Sequence, residues 1–195
     1  MVKRCLDGDR IFVVDEFLAP DECGTLVARG EREGYDDALI TTSAGFVINK
    51  DIRNNRRVIV DDRLLAGALW ERARALVPVT VARWCATGLN ERFRFYRYDP
   101  GQRFAPHFDC RFERSVLERS ELTFMVYLND NFGGGETKFY DADRQLHVTV
   151  RPERGMALVF EHAQLHEGAP VVSGRKYVLR TDVMYALDVG RPTRG

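Results

Sequence analysis

The segment ERFRFYRYDPGQRFAPHFD (91–109) sets the reading of this chain. It holds two stretches of strand character, 92–98 and 103–109, parted by the turn-forming DPG. The same texture then repeats. Strand candidates at 121–129, 136–140, 146–151, 156–161, 169–172 and 176–186 alternate with a charged stretch at 110–120, NDNFGGG, DADR, PERG, a histidine-containing loop and SGR. Many short strands broken by turn residues at this spacing predict a mainly β fold, a sandwich or a closed double-stranded β-helix (jelly roll). Such a barrel has a mouth where side chains from different strands converge.

Strand alternation then groups residues by face. His107 and Asp109 share one face, as do Tyr96 and Tyr98. Thr123, Met125 and Tyr127 share another, and Lys176, Val178, Arg180 and Asp182 lie together on the last strand. A purely structural barrel would fill its interior with Val, Ile and Leu. If these faces turn inward, this one contains phenols, carboxylates and two cations. Burying Lys and Arg without anions costs several kcal/mol, so the interior is acid-seeking. His107 and Asp109, with His166 further on, supply the two imidazoles and one carboxylate of the facial triad that holds Fe(II). Spacing alone carries little weight, because a His-x-Asp pair arises by chance about 0.3 times in such a chain. Lys176, ten residues after His166, is rarer. With four Lys in the chain, one falls at a specified offset in roughly 2% of trials.

Upstream, residues 1–90 form a helical and strand flank to a core at 91–186, with 187–195 as a tail, all within a single domain. After the apolar IFVVDEFL, Pro20 opens a helix to about Glu33, with Asp21 as cap and Gly34 as stop. A second helix runs from Asp61 or Asp62 to about Leu76 and ends before Pro78. The polar INKDIRNNRR between them reads as a loop or edge strand. At 45% hydrophobic and 30% charged, with zero formal net charge, the chain shows no basic face for nucleic acid and no polybasic membrane surface. It has no signal-like N-terminus and no membrane-length apolar run, so a cytoplasmic location is expected. Cys5, Cys23, Cys85 and Cys110 lack CxxC spacing and read as reduced thiols.

Three segments together resemble the Fe(II)- and 2-oxoglutarate-dependent dioxygenases, in their prolyl-4-hydroxylase-like branch. They are YDPGQRFAPHFD (98–109), LTFMVYLNDNFGGGETKF (122–139) and HEGAPVVSGRKYVLRTDVMY (166–185), and FLAPDECGTLV adds a weaker likeness. The resemblance implies a jelly-roll core with flanking N-terminal α-helices. It implies iron ligation by His107, Asp109 and His166, and a dioxygenase that hydroxylates a C–H bond while 2-oxoglutarate is decarboxylated to succinate and CO2. Lys176 would pair with the distal carboxylate of 2-oxoglutarate, and Tyr98 and Tyr127 would line that pocket. Fe(II), 2-oxoglutarate and O2 are the implied cofactors, with ascorbate a candidate reductant. A carboxylate at Asp109 fills the place chloride takes in related halogenases, which favours hydroxylation.

Several residues carry a second reading. The family places Lys or Arg at position 176, so Arg175 competes, although alternation turns it outward. Arg180 fits a second cosubstrate contact, a substrate carboxylate partner or an ion pair with Asp182. His162 reads as a loop residue, His147 as exposed, Tyr96 as packing and GGGE (133–136) as a turn. Arg94 and the polar 46–57 and 110–120 segments would border the mouth. The substrate, a small molecule or a peptidyl residue, stays unread, as does the oligomeric state. A cupin-like iron oxygenase without 2-oxoglutarate and a non-catalytic metal-dependent binding or sensor module are the competing classes.

Overall fold

A computed structural model describes the backbone of residues 1–38, 40–42, 45–47 and 49–188, and side chains outside 39–48. It is a jelly-roll sandwich. The larger sheet has eleven strands, with a central path that runs Val2–Asp7, Ile11–Asp15, Ala157–Glu161, Glu118–Tyr127, Lys176–Leu187, Arg92–Tyr98, Arg56–Asp61 and Asp36–Asp37. The smaller has four, in the order Phe104–His107, Leu165–Gly168, Thr137–Tyr140, Leu146–Val150.

The central strands of the large sheet are buried on both faces, and alternation assigns each side chain its layer. One face, with Phe12, Val14, Phe93, Phe95, Phe124, Val126, Leu179 and Val183, packs on Leu26, Ala66 and Leu69 of two helices. The other carries Ile11, Val13, Tyr96, Tyr98, Tyr127, Leu158 and Val178 toward the small sheet and its Phe139. Each Phe or Leu so buried contributes roughly 1.5–3 kcal/mol. Double burial explains why IFVV reads as an unbroken apolar run rather than an alternating one.

The first helix spans Pro20–Glu33. Its N-cap is Ala19, not Asp21, and Glu22 reaches back to accept from the Ala19 amide at 2.9 Å. Gly34 ends it at φ 84°. The second spans Arg63–Ala73, shorter than its apolar pattern predicts. Asp62 caps it by accepting from the Leu65 amide at 2.8 Å. No helix among the described residues is long and apolar enough to cross a membrane.

The N-terminal flank holds strands as well as helices: Val2–Asp7, Ile11–Asp15, Arg56–Asp61 and Trp84–Leu89 hydrogen-bond into the large sheet. Two expectations need correction. The charged stretch 110–120 is not all loop: Glu113–Ser115 pairs with the start of Glu118–Tyr127. His166 sits on a strand, Leu165–Gly168, not in a loop.

Candidate metal centre

The two histidines are brought together by strand pairing. His107 ends Phe104–His107 and is the direct cross-strand partner of His166, which places their ring centroids 4.3 Å apart. Asp109 lies past the end of that strand, so simple alternation does not place it. Its amide donates to the His162 carbonyl at 3.2 Å, and this turns the carboxylate back toward the histidines. Asp109 Oδ1 is 3.6 Å from His107 Nε2, and Oδ2 is 3.7 Å from His166 Nε2. The three ligand atoms lie within 4.8 Å of one another.

The donor set fits a metal. His107 Nδ1 faces the Ala105 carbonyl at 2.8 Å, and His166 Nδ1 faces the Gln164 carbonyl at 2.9 Å. A carbonyl accepts only, so each Nδ1 carries the proton and each Nε2 presents a lone pair to the pocket. Burial pushes His166 down to about 4, which keeps that lone pair free. Burial opposes the charge on Asp109, but the Arg180 guanidinium outweighs it and holds the carboxyl well below its usual range.

The surroundings fix the carboxylate. Thr123 Oγ1 donates to Asp109 Oδ2 at 2.5 Å, and Arg180 Nη2 reaches the same oxygen at 3.0 Å. Behind Thr123, buried His162 contacts Thr123 Oγ1 at 3.1 Å and Ser120 Oγ at 2.8 Å. His162 sits in the turn between Ala157–Glu161 and Leu165–Gly168, and from there it is part of the support under Asp109. Arg180 was an inward candidate from the sequence, whereas Thr123 and His162 did not stand out as supports, although Thr123 shares its face with Met125 and Tyr127.

Lys176 is 2% exposed, and no carboxylate lies within 4.0 Å of it among the described residues. Its ammonium donates to the Gly135 carbonyl at 2.6 Å and stands 5.2 Å and 5.3 Å from the ring centroids of Tyr98 and Tyr127. Gly135 adopts φ 71°, and a Cβ there would meet Lys176 Cδ at 3.2 Å, so glycine suits both the turn and the approach. Burial pushes the ammonium down to about 7 against the opposing charge of Glu136. Arg175 points away, exposed, and pairs with Asp99 at 2.6 Å.

One pocket is lined by His107, Asp109, His166, Lys176, Tyr98 and Arg180, together with Tyr96, Thr123, Met125 and Thr137. Tyr127 stands behind its wall rather than in it, fully buried with its hydroxyl 2.6 Å from Thr137 Oγ1. Arg180 contacts Asp109 and also Asp182, at 3.4 Å.

The profile of the 2OG-Fe(II) oxygenase superfamily matches residues 93–181, the stretch that holds this pocket. The match covers just under half of the chain and, with the relatives below, supports a 2OG-Fe(II) oxygenase of prolyl-hydroxylase-like character. Prolyl 4-hydroxylase 2 of Arabidopsis thaliana is 25% identical to this oxygenase over 90% of the chain, and the match covers 67% of that relative, about two thirds of its length. The fold matches the viral collagen prolyl hydroxylase of Paramecium Bursaria Chlorella virus-1 in its 2OG complex, with TM-score 0.62 and 22% identity over 94% of this chain and 100% of that one. It also matches the Trichoplax adhaerens prolyl hydroxylase in complex with a hypoxia inducible factor peptide fragment, with TM-score 0.68 and 16% identity over 94% of this chain and 86% of that one. The superfamily uses Fe(II), 2-oxoglutarate and O2, and this oxygenase places a His-Asp-His group where such an ion fits.

Proposed function

We propose that this chain hydroxylates an unactivated C–H bond of a small molecule or peptidyl residue, with His107, Asp109 and His166 as iron ligands and Lys176 as the cosubstrate's counter-charge. The observation that carries the reading is that two Nε2 lone pairs, an ionised carboxylate and a buried ammonium without a carboxylate partner line one pocket. When bound, Fe(II) supplies the redox chemistry in which substrate C–H, O2 and 2-oxoglutarate give substrate C–OH, succinate and CO2.

The chain's own residues would do the rest. Ala105 and Gln164 hold the imidazole tautomers. Thr123 and Arg180 fix the Asp109 carboxylate so that it presents a set direction to the metal. Lys176 would draw in the distal carboxylate of 2-oxoglutarate at the far end, with Tyr98 beside it. The rings of Phe139 and Phe160, each against His166, would shield that imidazole from water. A peptidyl substrate is the reading that the peptide-bound Trichoplax neighbour favours.

The pH dependence has a definite sign. A dicarboxylate binds the charged form of Lys176, and without it the ammonium loses its proton near pH 7. Affinity for 2-oxoglutarate should hold at pH 6.5 to 7 and weaken by up to about tenfold per unit above it. The group's effect on stability runs the other way. Its folded value lies below the unfolded 10.5, so burial of the charge costs most below pH 7, and the cost is relieved as pH rises through that value. Titration calorimetry between pH 6.5 and 9 checks this; an affinity that rises with pH would contradict it.

The direct test of the reaction is succinate formation in the presence of Fe(II), O2 and 2-oxoglutarate, uncoupled or with candidate substrates. Succinate above the metal-free background is expected. Oxygen consumption without succinate would favour the cupin-like oxygenase, and neither would favour a binding module.

A further inference from the structure

The site leaves one cation unaccounted for. Arg53, just before the strand Arg56–Asp61, is 4% exposed. Its guanidinium stands 4.6 Å from the ring centroid of Tyr96 and 4.3 Å from that of Phe104. Phe104 in turn stacks on His107 at 3.5 Å. Arg53 Nε donates to Asn55 Oδ1 at 2.7 Å, and Nη2 has no partner. Among the described residues no carboxylate lies within 4.0 Å of it, and neither 39–48 nor 189–195 contains an Asp or Glu. A buried unpaired guanidinium is strongly unfavourable, and stacking on rings offsets only part of that.

Two more polar atoms beside it are buried without partners, the Tyr96 hydroxyl and Arg180 Nε. Burial works to raise the Tyr96 hydroxyl, yet Arg53, Arg180 and Arg94 together bring it down to about 8, which sets that oxygen among three guanidiniums. Asp182 pairs with Arg94 at 3.0 Å and Arg180 at 3.4 Å, and Asp109 with Arg180 at 3.0 Å; Arg53 has neither. Along the paired strands Lys176 stands opposite Tyr98, Val178 opposite Tyr96 and Arg180 opposite Arg94. The backbone of Arg180 therefore lies roughly 13 Å along the strand from that of Lys176, with Tyr96 opposite the mid-point.

We propose that Arg53, Tyr96 and Arg180 bind a carboxylate of the primary substrate, so that the oxidised C–H bond belongs to an organic acid. This rests on the function proposed above and narrows its substrate class. A planar monoanion matches the guanidinium fork, whereas Asp109 and Asp182 nearby disfavour a more highly charged group. The carboxylate is that of a free acid or of an acidic residue in a peptide, and the test separates these.

The whole chain, with Fe(II) and saturating 2-oxoglutarate, is assayed for succinate release with the twenty free L-amino acids, with their α-amides, and with C-amidated hexapeptides containing or lacking Asp and Glu. At least one carboxylate-bearing compound should accelerate release while its amide does not. Stimulation by free acids assigns a free-acid substrate; stimulation by acidic peptides alone assigns an acidic peptide. Arg53→Gln should raise the KM for that compound about 30-fold or more, change kcat less, and leave the KM for 2-oxoglutarate as it was. Equal stimulation by neutral compounds, no stimulation by any acid, or an unchanged KM in Arg53→Gln would overturn the proposal. Anaerobic 2-oxoglutarate binding to the iron-loaded protein is recorded in parallel. If it is present and the acids fail, only this inference falls; if it is absent, the proposed function falls with it.

Discussion

Asp109→Ala is expected to lose Fe(II) and with it all detectable turnover, in a chain that still folds but melts earlier. The carboxylate is one of three ligand atoms within 4.8 Å of one another, and two histidines alone are a poor site for Fe(II). The stability loss has a separate cause. Arg180 Nη2 and Thr123 Oγ1 both aim at Asp109 Oδ2, at 3.0 and 2.5 Å. Removing one partner of a buried ion pair costs about 3–5 kcal/mol. The cost here should fall at the lower end, because Asp182 still holds Arg180 at 3.4 Å. Metal analysis after gel filtration and a thermal melt of the same sample check both parts. Retained iron would overturn the ligand assignment; lost iron with an unchanged melt would overturn the role given to Arg180.

Lys176→Met is expected to do the opposite to stability while damaging function. The ammonium is buried with no carboxylate within 4.0 Å among the described residues, and burial drags it to about 7 against the opposing charge of Glu136. Against its ordinary value of 10.5 that implies a penalty on the order of a few kcal/mol at neutral pH. Methionine fills much of the same volume without it, so the protein free of 2-oxoglutarate should melt higher. The loss of a desolvated charge pair should raise the 2-oxoglutarate requirement about 100-fold or more, with iron content unchanged. An unchanged requirement would shift the role to Arg180, since Arg175 is exposed and engaged with Asp99.

These contrasting outcomes bear on what was legible from sequence. Alternation correctly grouped Tyr96 with Tyr98, and Lys176 with Arg180, because those strands are regular and a period of two survives into the fold. It reached Asp109 by a mistaken route. That residue lies beyond its strand, and a backbone hydrogen bond to His162 turns it inward. The first ninety residues were under-read for a different reason. Ile11–Asp15 is buried on both faces and loses its alternation, whereas Val2–Asp7 and Arg56–Asp61 are exposed or half-buried along their length, carry charges and show no long apolar run. Arg53 was legible only as part of the polar 46–57 segment expected to border the mouth. Its Asn-rich surroundings look solvated, and its burial comes from a long-range pairing with Phe104, the ring that stacks on His107. His162 likewise gave no local signal, since what buries it is Ser120 and Thr123, some forty residues earlier.

The central claim is that one pocket holds both an iron ion and 2-oxoglutarate. Anaerobic addition of Fe(II) and then 2-oxoglutarate, followed by visible absorption, tests it most directly. The account predicts a metal-to-ligand charge-transfer band that saturates with 2-oxoglutarate in the native chain, needs far more of it in Lys176→Met, and is missing in His107→Ala. A native, well-folded chain that gives no band, or His107→Ala giving the same band, would contradict it.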